Sequence, residues 1–561
     1  MLPSANVTID DASGKPGAGT DYLVVLSPCT DNADMTPRVF TSTAALLSFH
    51  AYCQGVDYSA LHFDETRLPI LFVGLPVSTA GVVSQQDDSQ VDGTCVITVT
   101  GTPMDECDLE LVVTRGGTIG TSSILIELSL DGGRTFKPVK LGTAVSYVVP
   151  YMGITLNFAA GTLLLDDVFT CRTSAPAPAQ ASIQSAREAL AAQSKSERDW
   201  LCCWDAANET AADDVLAEIN AYETANERFK LARLPVRDHS AGGKKSNIGE
   251  VTFAEVGVSG DTITRDAGSW IADGFRVGDV ITVTGSVSNN FADGDVTGVT
   301  ATVLTLGNRD LVAEVLAAGV GSITSPAEAD AAWVSDIDAE FEDIADEPRL
   351  ALGAGRARKL SRIHGWRLRR PYPWAASIRS YQHDVQIPSM RKADGPLSGW
   401  DLEDEDGNII EHDERLNGGL LEAGFGCFRT WPNGPNGTFV ALDLTRALPE
   451  SLLSRVHHMA VVNVAQGVCQ AATEALVGEV LVKQADGTAT DSSLSTLETK
   501  VNSALAVALL QPGREGPRAS SATWTASRTD DISVPGAILT GVLELVLNGT
   551  IEHVVTTVRV S

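Results

Sequence analysis

DYLVVL (Asp21–Leu26), PRVFTSTAALLSFHAYCQG (Pro37–Gly55) and RLPILFVGLPV (Arg67–Val77) decide the fold. The first reads as a strand, and the last is a continuous apolar run of the kind a strand buried on both faces requires. Between them, Ser42 or Thr43 can cap a helix carrying Leu46, Leu47 and Tyr52. Strand, helix and strand in such a short span make an α/β unit.

Working outward, the texture changes near Asp92. CVITVTG, LELVVTRGG, SILIELSLDGGRTF and GITLNFAAGTLLLDDVFTC alternate apolar and polar residues between Gly and Asp-Gly turns, as a β-sandwich requires. SAPAPAQAS (Ser174–Ser182) reads as a linker. Helical spacing resumes with SIQSAREALAAQ, followed by the buried run WLCCW and a helix from about Thr210 bearing Leu216, Ile219, Tyr222 and Phe229. A second all-β segment runs from about Ile248 to Leu306, with Trp270, Phe275, Val277, Ile281 and Val283 as its expected core. Ser325, Pro326 and Glu328 then read as N-cap, first helical residue and capping box of a helix buried along Trp333, Ile337, Phe341 and Ile344 and ended by Pro348. Long helices are expected over about Glu450–Val480 and Ser492–Leu510, the latter with Leu494, Leu497, Val501 and Leu505 on one face.

Both ends are short strands on Gly/Pro joints. Asn6, Val7, Thr8 and Ile9 precede SGKPGAG, with Gly14, Pro16, Gly17 and Gly19 as hinge residues. At the other end PGREGP supplies Pro512, Gly513, Gly516 and Pro517 before AILTGVLELVLNGTIEHVVTTVRVS (Ala537–Ser561). Leu539, Leu543, Leu545 and Leu547 alternate, Asn548-Gly549 suits a tight turn, and Val554, Val555, Val558 and Val560 form a last strand. An apolar edge strand needs cover, and here Arg559 is the sole charge near the end of it. Another part of the chain or another molecule must pair with it.

The 561 residues suggest about three to five domains. A net charge of −31 repels nucleic acid and anionic lipid, so no direct nucleic-acid partner is expected. No stretch approaches the roughly 18 apolar residues of a spanning helix, and the first residues lack a secretory pattern, so no membrane insertion is expected. The nine cysteines have no CxxC spacing and read mostly as buried thiols, a disulfide among Cys95, Cys107 and Cys171 remaining an alternative.

Catalytic spacing is missing. GGKKS (Gly242–Ser246) resembles the end of a phosphate loop, but Asp238 stands where the first glycine belongs. DLEDEDGNIIEHDE places Leu402 and Asp413 at the first and last ligand positions of a calcium loop, so an Asp406-Gly407 hairpin is the better account. The nine histidines are scattered, and adjacent His457 and His458 point apart on a helix. No enzyme, metal or cofactor follows. One basic run, RARKLSRIHGWRLRR, gathers Arg356, Arg358, Lys359, Arg362, Arg367, Arg369 and Arg370 around Trp366. In so acidic a chain it is expected to face an acidic protein surface, such as another copy of the chain, with a nucleic-acid groove as the alternative.

The order of elements resembles the contractile tail sheath proteins of bacteriophages. GTDYLVVLSPC, the PR-containing turn into a helix and LPILFVGLPVSTAG resemble that family's opening. DERLNGGLLEAGFGCFRTWPNGPNGTFVALDLTRA, the helix LLSRVHHMAVVNVAQGVCQAATEALVG and ASSATWTASRTDDISVPGAILTGVLELVL resemble its close. The resemblance implies a multidomain α/β (α+β) core built from the two ends, with two inserted all-β modules. Its expected parts are an N-terminal arm (1–20), core (21–91), β-sandwich-like insert (92–173), helical or α/β segment (174–247), small β module (248–306), continued α/β segment (307–400), core with tube-facing helices (401–511) and C-terminal hinge and arm (512–561). It further implies a non-enzymatic virion-tail subunit, assembled in the host bacterial cytoplasm as stacked hexameric rings around a tail tube protein. Baseplate and tail terminator or neck proteins would be its other partners, and the two arms would add strands to neighbouring subunits. The alternative is a virion decoration or host-surface, carbohydrate-binding protein built on the β modules.

Overall fold

The computed structural model describes residues 22–30, 33–193, 197–226, 228–240, 242–244, 249–256, 260–404, 407–432, 436–533 and 538–549. Within them the chain is a multidomain mix of α and β elements organised on a six-stranded sheet. Its order is Arg38–Phe40, Ile70–Leu75, Tyr22–Pro28, Glu197–Cys202, Leu231–Pro235, Leu350–Gly353. All neighbours are parallel except the edge pair Arg38–Phe40 and Ile70–Leu75. Parallel neighbours need crossovers. The chain supplies α1 (Thr43–His50) and α2 (Gln54–Thr66) between the first strands, then α3 (Gln180–Ala192), α4 (Glu209–Asn226) and α5 (Asp330–Glu340) before later ones.

Alternation then sorts the side chains between two layers. Val24 and Leu26 pack with Ile183, Leu190, Ile219, Tyr222, Trp333 and Phe341 on one face. Leu23 and Val25 pack on the other with Val56 and Leu61 of α2 and with Trp374 and Ile378 of α6 (Tyr372–Gln382). Helices on both faces are why Ile70–Leu75 is apolar throughout. Ser42 caps α1 as expected, its hydroxyl accepting from the Ala45 N–H at 3.4 Å.

A five-stranded antiparallel sheet (Lys137–Gly142, Ile124–Ser129, Cys107–Arg115, Val168–Thr173, Val83–Gln90) and a three-stranded one (Ser146–Val149, Ile154–Phe158, Ile97–Gly101) enclose one core. Cys95, Cys107 and Cys171 are free thiols within it. Between Leu231–Pro235 and α5, a seven-stranded antiparallel sheet begins at Val251–Ala254 and runs on through Glu314–Leu316 and Ser322–Thr324, past the expected end at Leu306. Its core holds Trp270, Phe275, Ile281 and Val283, but Val277 lies 65% exposed beside the Gly278 turn.

The expected capping box does not form. The α5 helix begins at Asp330 after Ala329. Ser325 instead accepts from the Gly243 N–H and donates to Asp279, and Glu328 accepts from the Ser240 N–H while pairing with Arg237. Tertiary partners outcompeted the local ones. The stripe Trp333, Ile337, Phe341 and Ile344 is buried as read.

Candidate functional site

The C-terminal lobe is built from α7 (Val456–Glu474), α8 (Asp491–Leu505) with a π-turn over Ala506–Leu510, and a hairpin of Ala519–Ala526 against Gly541–Leu547. The first of these helices is shorter than expected, because Arg455 is extended and separates it from a single 3-10 turn at Leu452–Ser454. Val456 and Met459 dock on Leu231 and Ala351 of the central sheet. Further along, Val461 and Ala465 join Leu494, Leu497, Val501 and Leu505 under the hairpin.

A two-stranded sheet is marginal unless one face is packed. Here Ala522, Trp524 and Ala526, with Leu543, Leu545 and Leu547 opposite, turn toward the helices. Val542, Glu544 and Val546 face outward. The outer edge of Ala519–Ala526 is occupied by α8. The Asn502 amide donates to the Trp524 carbonyl at 3.0 Å and accepts from its N–H at 2.7 Å, and Glu498 accepts from the Ala526 N–H at 3.0 Å.

The other edge is different. Leu543 lies opposite Trp524, so it too turns its backbone groups away from the hairpin. Among the described residues no strand pairs with that edge. Its end is anchored: Asn548 donates to the Pro517 carbonyl and accepts from Ser520, and His458 Nε2 sits 3.1 Å from the Asn548 carbonyl. In the same C-terminal part of the chain Leu452, Val477, Val480, Val507, Val542 and Val546 are exposed, Val480 by 93%.

Two solved structures match along nearly their whole length. The sheath tail protein of Desulfitobacterium hafniense aligns with a TM-score of 0.37 at 8% identity, covering 95% of this chain and 98% of that one. The sheath tail protein of Listeria innocua gives 0.37 at 8%, covering 94% and 95%. The contracted sheath complex of an extracellular contractile injection system gives 0.27 at 10%, covering 40% of this chain and 59% of that one. No family model matches the sequence. No curated protein matches it in sequence.

Gly541 permits the hairpin's close packing. A Cβ there would stand 2.4 Å from the Trp524 ring. Gly541→Val is therefore expected to destabilise this lobe by about 1–3 kcal/mol. Hydrogen exchange over 519–547 should speed up while the central sheet is unchanged.

Pro512, Gly513, Gly516 and Pro517, expected as a hinge, lie in a tight turn, with the Gly513 N–H donating to the Gly516 carbonyl at 3.1 Å. Glu515 ties it to the segment after α6, accepting from the Asp384 N–H at 3.0 Å and from Arg391 at 2.9 Å. Burial would raise the Glu515 carboxyl, but the Asp384 N–H and the His383 and Arg391 side chains hold it below its ordinary range. The arm residues Asn6, Val7, Thr8, Ile9, Val554, Val555, Val558 and Val560 and hinge residues Gly14, Pro16, Gly17 and Gly19 lie outside the described residues.

The basic run is where the expectation needs correcting. Its Arg356–Leu360 and Arg367–Pro371 strands form a hairpin whose cations are matched by this chain's own acids. Arg356 pairs with Asp205, Arg358 with Glu411, Lys359 with Glu65, Arg369 with Glu411 and Asp238, and Arg370 with Asp57 and Asp105. Arg356, Arg358, Lys359 and Arg370 are buried, and only Arg362 and Arg367 have half-exposed side chains, facing Asp64 and Asp401. Trp366 and Leu368 enter the sandwich core, while Ala357 joins the central one. The run is a seam inside the molecule. The acids that complete it come from distant segments and carry no pattern readable beside it.

Asp404 and Asn408 close a turn around Gly407, the Asp404 N–H donating to the Asn408 carbonyl at 2.9 Å; Asp406 lies outside the described residues. Among the described residues no helix is long and apolar enough to cross a membrane.

Proposed function

We propose that the chain is a structural, non-enzymatic subunit of a contractile tail sheath. The observation that carries this reading is the outward edge of Gly541–Leu547, unpaired among the described strands and continuous with a sequence that alternates through Val554, Val558 and Val560. Exposed apolar residues on the same lobe and the resemblance of both ends support it. Subunits stack as hexameric rings around a tail tube protein, with α7 and the Leu452 turn on the inner side. The N-terminal residues Asn6–Ile9 and the C-terminal residues Val554–Val560 cross to neighbours and extend their sheets. Gly14–Gly19 is the joint of the N-terminal arm, while Pro512–Pro517, tied down through Glu515, holds the hairpin from which the C-terminal arm departs after Asn548-Gly549. The assembly is held in an extended packing and contracts when rigid bodies rotate into one that buries more surface, the arms keeping neighbours joined. It sits in the virion tail, assembled in the host cytoplasm, and meets baseplate and terminator proteins at its ends.

The test is sedimentation and electron microscopy of the purified full-length protein, with and without a tube protein. Hollow cylinders of stacked rings are expected. A compact monomer under both conditions would overturn the reading and favour a virion decoration or carbohydrate-binding protein.

A further inference from the structure

His239, Asp330 and His412 come from three separate segments: the loop after Leu231–Pro235, the first turn of α5 and the loop after the acidic hairpin. One donor atom from each lies within 4.8 Å of the other two. His239 Nε2 stands 2.7 Å from Asp330 Oδ1, and His412 Nδ1 stands 3.6 Å from Asp330 Oδ2. His412 is 3% exposed, and its Nδ1 faces the cluster without a hydrogen-bond partner.

The outer ring of contacts makes this more than a chance meeting. A metal-bound imidazole usually donates its other N–H to a carboxylate, which fixes the tautomer and strengthens the ligand. Here the remaining nitrogen of each ring faces one: His239 Nδ1 lies 3.4 Å from Asp238, and His412 Nε2 lies 3.5 Å from Glu414. Glu414 is itself held by the N–H groups of Gly419, Leu420 and Leu421, and Asp330 by Asn417. His239 stacks on Trp333 at 4.0 Å between ring centroids, which sets its plane.

We propose that His239, Asp330 and His412 bind one divalent transition-metal ion of the zinc class. Two imidazoles and a carboxylate suit zinc, with bonds of about 2.0–2.2 Å and a fourth position left for water. Calcium and magnesium prefer oxygen ligands, so the donor set selects against them. In a tetrahedral site donors sit roughly 3.3 Å apart, so His239 and Asp330 move apart slightly when the ion enters. The ion ties the entrance of the seven-stranded sheet to α5 and to the 411–417 loop. This inference is independent of the sheath reading.

The full-length protein, stripped by a chelator, is titrated with Zn2+ by calorimetry and with Co2+ by visible absorption. One ion per chain is expected, with Co2+ bands of a four-coordinate site and a melting temperature raised by Zn2+. H239Q and H412Q should lose binding and the thermal shift, and D330N should do the same. E414Q, which leaves all three ligands, should weaken binding by about 10–100-fold. C469S, at a half-buried thiol elsewhere, should bind as the parent does. Circular dichroism of the metal-free variants separates lost binding from lost folding, and E414Q and D330N decide the matter if a histidine variant does not fold. Absence of stoichiometric uptake by the parent, or unchanged uptake in folded D330N and E414Q, would overturn the proposal.

Discussion

Arg370→Met is expected to lose about 3–5 kcal/mol of stability at neutral pH, the range for breaking a buried ion pair from one side. Arg370 is 1% exposed and donates to both oxygens of Asp105, at 2.8 and 2.7 Å, and to Asp57 of α2. Gln54 donates to Asp105 at 2.9 Å, and Tyr52 donates to it as well. One guanidinium thus joins α2, the sandwich and the basic hairpin, and methionine would leave two buried carboxylates without a cation. Burial raises the Asp105 carboxyl, but Arg370 beside it holds it down at about 2.

The sign of the pH effect follows. A carboxyl depressed in the folded state stabilises the protein above its unfolded value of about 3.9, and that contribution fades as pH falls toward about 2. In Arg370→Met the buried Asp105 carboxyl loses the cation that holds it ionised and resists ionisation, so the deficit is expected to be largest near pH 7 and to shrink on acidification. Thermal unfolding of parent and variant at pH 7 and pH 5 measures both. A deficit under about 1 kcal/mol would show that the seam contributes little, and one that grows at pH 5 would contradict the ionised Asp105 account.

A chain ending at Gly549 is expected to fold as the parent does and to lose assembly altogether. It keeps the pairing of Ala519 with Leu547 and the contacts of Asn548 to Ser520, Pro517 and His458. What it loses is the segment whose sequence reads as a last strand, the proposed link between subunits. Each backbone hydrogen bond in such a strand is worth about 1 kcal/mol net, so a single arm binds weakly. In the proposed tube, repetition would hold the arms at high effective concentration, and removing all of them at once would remove the mesh. Light scattering and sedimentation should find a discrete small species with parent-like circular dichroism.

Tyr22–Pro28 and Ile70–Leu75 of the central sheet were legible because strands buried on both faces read as continuous apolar runs, whereas Leu231–Pro235 and Leu350–Gly353 were not, being short and, in the first, interrupted by the buried Arg233. The α5 stripe was equally plain, since Trp333, Ile337 and Phe341 repeat at helical spacing. Its start was not, because Ser325 and Glu328 found partners far away in sequence. The basic run misled for the same reason. Seven cations in an acidic chain look like an exposed face until Asp57, Asp105 and Glu411 are folded against them. His239, Asp330 and His412 show no ligand spacing, since two loops and the start of α5, remote in sequence, bring them together. Local patterns report local partners, and both charge clusters here are assembled across the fold.

The central claim is that the terminal strand joins neighbouring subunits. A photo-crosslinking residue at Val555 of the full-length protein, activated after assembly and followed on a denaturing gel, tests it most directly. Covalent dimers and higher ladders, with crosslinked peptides joining two copies, are the expected result. Crosslinks confined to single chains, in particles that have assembled, would contradict it.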